Sequence, residues 1–293
     1  MRRFRYMEQL VYINGEIINR GKAQIPVFDR GLLYGYGLFE TMRSYNGHVF
    51  CLDRHIARLV NSAGVLGIRE SLEREKLETA VLRTLKANEL DDARVRLTVT
   101  AGEGSRGLTP PAAGKLNIII IVEDLVLPSP DAYSKGLCTS IVSIRRNSES
   151  PLCRMKTLGY LENMLAHAEA VNAGCDEAIL LNDEGGVAEC SASNIFVAEA
   201  GRIITPPIEA GILPGITRRV VIDLAPSIGV KVSQESFSVE RLMNAEEVFI
   251  TNSVIEIMPI AAIDGRPVGS GSRGKMTERL TEGYKKLTVS STR

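Results

Sequence analysis

Lys156 lies at a junction where a lysine could take part in chemistry. It occurs in Met155-Lys-Thr-Leu-Gly-Tyr160, after the loop 147–151 and before an amphipathic stretch. Most lysines at such junctions are simply solvated, and that interpretation stays open. Glu189 lies on a nearby strand that is otherwise apolar. A charge at a half-buried strand position is costly without a partner, and the nitrogen of a pyridinium ring would be such a partner.

Three other segments could bind a phosphate group. In the stretch 211–218 a glycine precedes a helix, and the first backbone N–H groups of that helix, at Ile216 and Thr217, have no intrahelical acceptor. Arg58 could present a planar guanidinium, and Ser253, in Thr-Asn-Ser253, could add a hydroxyl. Each segment also has a simpler interpretation: a turn that caps a helix, an exposed helix arginine, and ordinary turn chemistry at a strand end.

Hairpins and amphipathic segments must position these residues. Asn-Gly between apolar runs favours a type I′ turn, which predicts two hairpins, and a third crosses a Gly-Gly turn. The hairpins join 10–13 to 16–18, 41–45 to 48–50, and 177–181 to 187–190. Periodicity predicts helices at 54–66, 72–85, 160–173 and 216–224, and strands at 95–100, 116–122, 194–198, 202–205 and 248–251. The strand 116–122 is continuously apolar, which predicts burial on both faces.

The helix predicted over 160–173 is amphipathic, with an apolar stripe along one side. The stripe consists of Leu161, Met164, Leu165, Ala168 and Val171. The whole pattern predicts an α+β fold of two domains, each with a mostly antiparallel sheet and helices. We expect the domains to comprise residues 1–124 and 136–293, joined by a Pro-rich linker at 125–135.

Composition argues against several classes of partner. Lys plus Arg and Asp plus Glu number 35 each, so no net positive charge favours a nucleic acid. The five cysteines contain no C-x-x-C pair, which favours free thiols in a reducing compartment over disulfides or a zinc site. The basic start lacks the apolar region of a secretory signal, and the longest apolar run, 118–122, is too short to span a bilayer. We therefore expect a cytoplasmic protein without a membrane or metal partner.

The order and the amino-acid sequences of these segments resemble those of the fold-type IV class of pyridoxal-phosphate enzymes. That class contains branched-chain aminotransferases, D-amino-acid aminotransferases and aminodeoxychorismate lyases. The resemblance covers nearly the whole chain. It is carried by D-R-G-L-L-Y-G-Y-G-L-F-E-T-M-R (29–43), L-D-R-H-I-A-R-L (52–59), K-T-L-G-Y-L-E-N (156–163), D-E-A-I-L-L-N (176–182), G-G-V-A-E-C-S-A-S-N-I-F (185–196), G-I-L-P-G-I-T-R (211–218) and E-E-V-F-I-T-N-S (246–253).

The resemblance implies a role for each matching residue. Lys156 resembles the lysine that holds pyridoxal 5'-phosphate as a Schiff base, and Glu189 the carboxylate that faces the pyridine nitrogen. Tyr160 takes the position of a tyrosine near the phenolic oxygen of the cofactor. The phosphate cradle would consist of Arg58, the backbone amides of Ile216 and Thr217, and Ser253. Tyr34 resembles an aromatic wall on the substrate side, and members of the class are homodimers.

Three arginines are candidates for the substrate side. Arg96 takes a position where branched-chain enzymes carry an arginine and the lyases a lysine, but an outward strand residue fits equally well. Arg43 also aligns with a branched-chain position, although Thr41 stands where those enzymes usually carry glycine. Arg106, in a loop resembling those of lyases and D-specific enzymes, is a substrate anchor or a solvated residue. The stretch Val-Thr-Ala-Gly102 counts against D-specificity.

The resemblance therefore favours transamination between an amino acid and a 2-oxo acid. A branched-chain L-amino acid and 2-oxoglutarate are the preferred pair. The first alternative is elimination of pyruvate from 4-amino-4-deoxychorismate, which would use the same Lys156, and a D-amino-acid aminotransferase is the second. A non-catalytic cofactor-binding protein is a third alternative, disfavoured because both Lys156 and Glu189 are present.

Overall fold

A computed structural model describes residues 9–68, 72–104, 107–109 and 115–290. Contacts between Cα atoms divide the chain into two compact units. The first unit contains the described residues up to Val126 together with 155–159 and 289–290, and the second comprises Leu127–Arg154 and Tyr160–Thr288. The chain thus leaves the first unit after Val126, within the stretch predicted as a linker. Helices and mixed sheets in these units confirm the predicted α+β fold class.

The first unit is built on an antiparallel sheet with the strand order β2-β1-β6-β5-β3-β4. Asn14 and Gly15 have φ of 51° and 107°, and Asn46 and Gly47 have φ of 48° and 78°, so both predicted Asn-Gly turns form with positive φ. The strands are β1 Leu10–Ile13, β2 Glu16–Asn19, β3 Gly37–Tyr45, β4 His48–Val49, β5 Ala93–Thr100 and β6 Asn117–Asp124.

Helices cover one face of this sheet. They are α2 Leu52–Val65 and α3 Arg74–Ala87, which follow a short α1 at Arg30–Tyr34. Ile56 and Val81 from these helices pack with Met42 of β3 in one buried apolar cluster. The prediction that strand 116–122 is buried on both faces is wrong. Ile119 and Ile121 are only half-buried, because the helices cover the opposite face of β6.

The second unit is built on a larger mixed sheet. Its strand order is β12-β11-β10-β13-β14-β7-β8-β9, and β15 pairs with β14. Among the described pairings, β11–β12, β14–β7 and β7–β8 are parallel and the others are antiparallel. The strands are β7 Leu137–Arg146, β8 Glu177–Asn182, β9 Val187–Cys190, β10 Asn194–Glu199, β11 Arg202–Thr205, β12 Lys231–Gln234, β13 Glu247–Asn252, β14 Glu256–Ile263 and β15 Arg266–Pro267.

The helices after Val126 pack beside these strands or connect them. They are α4 Pro130–Lys135, α5 Leu161–Asn172, α6 Ile216–Ser227, α7 Val239–Met243 and α8 Lys275–Ser290. Pro130 begins α4, so part of the predicted extended linker is helical, with Ser129 as its N-cap. The helix α5 connects the parallel strands β7 and β8, a connection that a tight turn cannot make.

The amphipathic helix predicted over 160–173 is α5, but its large apolar side chains are not part of the buried core. The stripe Leu161, Met164, Leu165, Ala168 and Val171 is exposed, and Asn163, Ala166 and Ala170 are buried instead. The two alanines pack with Val142, Ala178 and Leu180 of β7 and β8. Small side chains allow a helix to lie close to a sheet, so the large apolar residues of this helix point away from its own unit.

Two further expectations concern the state of the cysteines and the absence of a membrane-spanning segment. All five cysteines are free thiols, as predicted. Within the described ranges, no helix combines the length and the apolar character that crossing a membrane requires.

Candidate active site

Lys156 lies on a short segment that pairs with the beginning of β3. The backbone N–H of Phe39 donates to the Lys156 carbonyl over 2.9 Å, and Leu158 N–H donates to the Gly37 carbonyl over 3.0 Å. A Cβ on Gly37 would lie 2.5 Å from the Val99 carbonyl oxygen and 2.7 Å from Leu158 Cδ1. Glycine therefore allows the lysine segment to approach the strand closely.

The ring of Phe39 brings together two of the predicted site residues. Lys156 Nζ lies 4.5 Å from the ring centroid, and Arg96 Cζ lies 3.9 Å from it. Both distances lie within the range of cation–π attraction. Phe39 was not among the predicted residues, although it is part of the F-E-T-M-R motif. Arg96 thus has an aromatic partner next to the lysine, which favours the substrate-side interpretation over a residue that only pairs across the sheet.

Arg43 lies on the same face of the sheet as Phe39, since residues two apart along a strand share a face. Its Cζ lies 4.5 Å from the centroid of the Tyr45 ring. In register, Thr41 is opposite Arg96 and Arg43 is opposite Arg94. Directly opposed residues also share a face, so this side of β3 and β5 carries several cationic side chains.

Arg58 is not an exposed helix arginine. It forms a two-point pair with Glu40, from Nε to Oε1 at 2.7 Å and from Nη2 to Oε2 at 2.6 Å. The exposed fractions of the two side chains are 11% and 1%. His55, one turn before Arg58 on α2, donates from Nδ1 to Glu40 Oε2 over 2.7 Å. Sequence analysis missed Glu40 and the role of His55, which no local pattern connects.

The charges of this cluster follow from burial and pairing. Burial by itself raises the pKa of Glu40, but Arg58 and His55 outweigh burial and lower the pKa from 4.5 to about 2. Burial is also the main reason that the pKa of His55 lies below its ordinary value of 6.5. At neutral pH the cluster therefore contains one carboxylate, one guanidinium and a neutral imidazole.

Tyr34 lies at the end of α1 and is about half exposed. Its hydroxyl accepts from Gly107 N–H over 3.4 Å. Arg30, on the same helix, donates from Nη2 to the carbonyls of Gly107 and Thr109 over 3.3 and 3.0 Å. These bonds hold Tyr34 close to the end of the loop in which the sequence predicts a substrate anchor. That anchor, Arg106, lies outside the described residues.

In the second unit, Glu189 is buried and has polar partners on both oxygens. Oε1 pairs with Arg146 Nη2 at 3.2 Å. Oε2 accepts from Leu213 N–H over 3.0 Å and from Asn194 Nδ2 over 3.2 Å. Arg146 also pairs with Glu162 at 2.7 Å. The sequence identified the buried carboxylate but missed Arg146, which is distant from it along the chain.

The N-terminus of α6 lies next to this carboxylate. Asn194 Nδ2 also donates to the Leu213 carbonyl over 2.9 Å. Gly215 is the N-cap and provides no side-chain cap, and a Cβ at this position would overlap Asn194 Oδ1. Thr217 is buried and Ile216 half-buried. The predicted anion-binding amides and Glu189 are therefore brought together by one asparagine and one glycine.

The end of β13 supplies hydroxyl groups. Thr251 is 1% exposed, and among the described residues its Oγ1 has no hydrogen-bond partner. Asn252 Oδ1 accepts from the N–H groups of Val254 and Ile255, so the predicted turn chemistry is present as well. Ser253 lies in this turn and is half-buried. A buried hydroxyl without a partner is unusual in a folded protein, and it indicates that the region is built to receive a polar group.

Tyr160 lies at the N-cap of α5 and belongs to the second unit. Its hydroxyl donates to the Ser191 carbonyl over 3.3 Å. Ser191 lies two residues after Glu189, so the phenol and the buried carboxylate are held by the same stretch of chain. The sequence predicted a tyrosine beside the cofactor at this position.

The residues present fit pyridoxal phosphate. The second unit offers a buried carboxylate for the ring nitrogen, an uncapped helix N-terminus for the phosphate, and the hydroxyl of Thr251. The first unit offers a lysine against an aromatic ring and a fixed arginine. A lysine amine, a carboxylate for a ring nitrogen and phosphate ligands are the groups that a pyridoxal-phosphate protein must supply.

Comparison with known proteins agrees with this assignment. The family model described as amino-transferase class IV matches residues 37–263. A putative branched-chain-amino-acid aminotransferase of Methanocaldococcus jannaschii is 42% identical over 94% of this chain and 96% of the relative. The aminodeoxychorismate lyase of Bacillus subtilis is 37% identical over 94% of each chain. The crystal structure of the Escherichia coli branched-chain amino acid aminotransferase superimposes with a TM-score of 0.92, at 30% identity over 96% of this chain and 95% of that one.

Proposed function

The chain belongs to the class IV aminotransferase family, and from this membership we propose that it transfers the amino group of a branched-chain L-amino acid to a 2-oxo acid such as 2-oxoglutarate. Enzymes of this family use pyridoxal 5'-phosphate. The observation that carries the proposal is the contact of both Lys156 Nζ and Arg96 Cζ with the ring of Phe39. This contact holds the Lys156 amine, which can move a proton, beside the Arg96 guanidinium, which can bind a carboxylate.

Lys156 is proposed to hold the cofactor and to move the proton. Bound pyridoxal phosphate supplies an electron sink that makes the α-proton of an amino acid acidic. The Lys156 amine would accept this proton from the α-carbon of the substrate and would carry it until it is returned. Pairing of its backbone with Phe39 and contact with the Phe39 ring restrict the amine to a small volume, which favours transfer between two fixed positions.

Glu189 is proposed to face the nitrogen of the cofactor ring. Its charge is held in place by Arg146, Leu213 N–H and Asn194 Nδ2. A carboxylate fixed in this way favours a protonated ring nitrogen, and the protonated ring attracts electrons more strongly. Tyr160, whose hydroxyl bonds to the Ser191 carbonyl, is proposed to lie near the phenolic oxygen of the ring.

The phosphate is proposed to bind the amides of Ile216 and Thr217, the guanidinium of Arg58 and the hydroxyl of Ser253. The first two lie at a helix N-terminus without a side-chain cap, where the macrodipole favours an anion. Arg58 is held by Glu40. These groups would bind the phosphate in both halves of the reaction, so the cofactor stays bound while amino acid and 2-oxo acid exchange.

Substrate carboxylates are proposed to bind the cationic face of β3 and β5. Arg96 and Arg43 lie on this face with Phe39, and a guanidinium pairs well with a carboxylate. Tyr34 is proposed to form the aromatic wall, and Arg106 to assist from the loop after β5. The branched-chain preference is supported by the names of the Methanocaldococcus jannaschii and Escherichia coli relatives rather than by these side chains.

We further propose that the enzyme is a cytoplasmic homodimer. Large apolar side chains are exposed on each unit, at Val27, Phe28, Leu32 and Leu33 in the first and at Leu161, Met164, Leu165 and Val171 in the second. Patches of this kind are rare on monomeric proteins and are typical of interaction surfaces. A second copy of the chain is the occupant that agrees with the predicted dimer, and the free cysteines support a reducing compartment.

The visible spectrum of the purified holoenzyme tests the reaction. We expect L-leucine, L-isoleucine or L-valine, added without a 2-oxo acid, to convert the bound cofactor to its amine form. The long-wavelength absorbance of the cofactor should then disappear ~10-fold faster than with D-alanine. Addition of 2-oxoglutarate should reverse the change. A spectrum that no amino acid changes, together with release of 4-aminobenzoate from aminodeoxychorismate, would favour the lyase instead.

A further inference from the structure

We propose that Glu40 is a positioning residue, which fixes the direction of the Arg58 guanidinium for the phosphate of the cofactor. The inference rests on the proposed function, since that function assigns Arg58 to the phosphate. It adds a residue, Glu40, that lies on a different element from Arg58 and that would never touch the cofactor.

The geometry of the pair defines the orientation of the arginine. Glu40 receives Nε–H on one oxygen and Nη2–H on the other, over 2.7 and 2.6 Å. Two parallel bonds to a planar group fix both its plane and its direction, whereas a single bond fixes neither. The pair uses one edge of the guanidinium, so the direction of Nη1 is set by the carboxylate.

The carboxylate itself is held rigidly. Glu40 lies on β3, whose even-numbered residues Leu38 and Met42 belong to the buried apolar cluster. His55 donates to the same Oε2 that receives Arg58 Nη2. Glu40 therefore accepts three charge-assisted or buried hydrogen bonds from α2, and a change of its rotamer would break all of them.

The strand that carries Glu40 also fixes the lysine. Phe39 and Glu40 are consecutive, so their side chains point to opposite faces of β3. The backbone of Phe39 bonds to Lys156, and the side chain of Glu40 bonds to Arg58. One strand thus sets the position of a residue proposed to hold the ring and of a residue proposed to hold the phosphate.

A purely structural role would be different. In that case Arg58 and His55 would serve only to neutralise and satisfy a carboxylate inside the core, and loss of Glu40 would reduce stability without selective loss of phosphate recognition. Ser44 offers a matched control for this role. It is a fully buried polar residue on the same face of β3, and its hydroxyl bonds to the Asp91 carbonyl and not to any residue assigned to the cofactor.

The test compares the affinity of the apoenzyme for pyridoxal phosphate and for pyridoxal, which lacks the phosphate. We expect Glu40→Gln to weaken binding of pyridoxal phosphate about 10- to 100-fold, which is the size expected for loss of a charge-assisted hydrogen bond. The affinity for pyridoxal should change by less than about threefold. Arg58→Ala should have the same selectivity, and the double variant should be no worse than Arg58→Ala, because Glu40 acts through Arg58.

Ser44→Ala should lower the melting temperature and leave both affinities unchanged. Glu40→Gln that binds pyridoxal phosphate as tightly as the unchanged protein would overturn the inference. So would equal losses for both ligands, which would indicate a structural role. Failure of the unchanged protein to bind pyridoxal phosphate, or of Arg58→Ala to lose affinity, would instead remove the proposed phosphate site and with it the premise.

Arg58→Lys provides a second measurement that leaves the carboxylate paired with a cation. A lysine keeps the charge but cannot form the two-point pair. We expect this variant to fold and to lose most of the preference for pyridoxal phosphate over pyridoxal. Retention of the full preference would show that charge alone is enough and would overturn the positioning role of Glu40.

Discussion

The backbone N–H of Phe39 donates to the carbonyl of Lys156 over 2.9 Å, and the side chain of the same phenylalanine lies against the lysine amine. The lysine is therefore held at two points by one residue of β3. Glu40, the next residue, holds Arg58 on the opposite face. The beginning of β3 consequently positions both ends of the proposed cofactor site within the first unit.

Replacement of the lysine tests its attachment to the cofactor. We expect Lys156→Ala to abolish the visible absorbance of covalently held pyridoxal phosphate and to reduce turnover by at least about 10³-fold, because the variant lacks the amine that is proposed to hold the cofactor and carry the proton. Borohydride reduction followed by mass spectrometry of peptides would measure attachment directly. Lys135→Ala, which removes an exposed lysine paired with Asp131, serves as the control, and a variant of Lys156 that keeps attachment would contradict the assignment.

Removal of Arg96 tests substrate binding. We expect Arg96→Ala to raise KM for 2-oxoglutarate about 10- to 100-fold through loss of a guanidinium–carboxylate pair, while the affinity for the cofactor stays the same. Steady-state kinetics and a cofactor titration measure the two effects. Arg94→Ala is the matched control, since Arg94 lies on the same strand and face but pairs with Glu123. Equal increases in KM for both variants would indicate a general loss of positive charge.

A methyl group at Gly215 tests the helix N-terminus. The φ of Gly215 is −65°, so alanine meets no backbone strain, but its Cβ would overlap Asn194 Oδ1. We expect Gly215→Ala to displace Asn194, to weaken cofactor binding by about tenfold or more, and to lower stability. Gly21→Ala, whose Cβ would have its nearest neighbour at 3.4 Å, should change neither quantity. Unchanged cofactor affinity in Gly215→Ala would show that the close approach of Gly215 and Asn194 does not contribute to binding of the phosphate.

The buried cluster of Glu40 and His55 predicts loss of stability in acid. The pKa of Glu40 is lowered from 4.5 to about 2 in the folded protein, so its contribution is present above 4.5 and is lost as the pH falls toward 2. The pKa of His55 is lowered from 6.5, so the unfolded chain takes up this proton first and stability falls below that pH. Urea unfolding at a series of pH values should show both losses. In the acid range where Glu40 titrates, Glu40→Gln should flatten the dependence of the free energy of unfolding on pH. An unchanged dependence would contradict the contribution of Glu40 to the loss of stability in acid.

The exposed stripe of α5 tests the proposed dimer. We expect Leu165→Glu to convert the dimer to a monomer in analytical ultracentrifugation, because a charge would be buried without a partner at the contact. Val126→Glu introduces the same charge at another exposed apolar residue and should leave the mass unchanged. A protein that is monomeric before substitution, or a Leu165→Glu variant that stays dimeric, would contradict the use of this surface.

Features that depend on local sequence were predictable. The Asn-Gly turns form because glycine and asparagine tolerate positive φ, and the four helices predicted from periodicity begin and end within a few residues of the predicted bounds. Lys156 and Glu189 were identified because each lies in a short, continuous and distinctive sequence motif. Their functional assignment as site residues nevertheless stays a prediction until the measurements above are made.

Features that depend on distant contacts were not predictable. Glu40 and Arg58 lie 18 positions apart, and Arg146 and Glu189 are still more distant along the chain, so no periodicity connects the members of either pair. The stripe of α5 identifies an apolar face but not what covers it, and it is Ala166 and Ala170, outside the stripe, that pack against the sheet. Phe39 was missed because an aromatic residue on a strand is usually interpreted as core.

The segment Met155–Gly159 belongs to the first unit, although the residues on both sides of it belong to the second. The first unit is therefore not encoded by one continuous stretch of gene. A fragment that ends at Val126 would contain Phe39, Glu40 and Arg58 but would lack Lys156, which pairs with Phe39. If the protein were expressed as two separate fragments divided after Val126, Lys156 would lie on the C-terminal fragment, apart from Phe39. Activity would then return only by complementation between the two fragments.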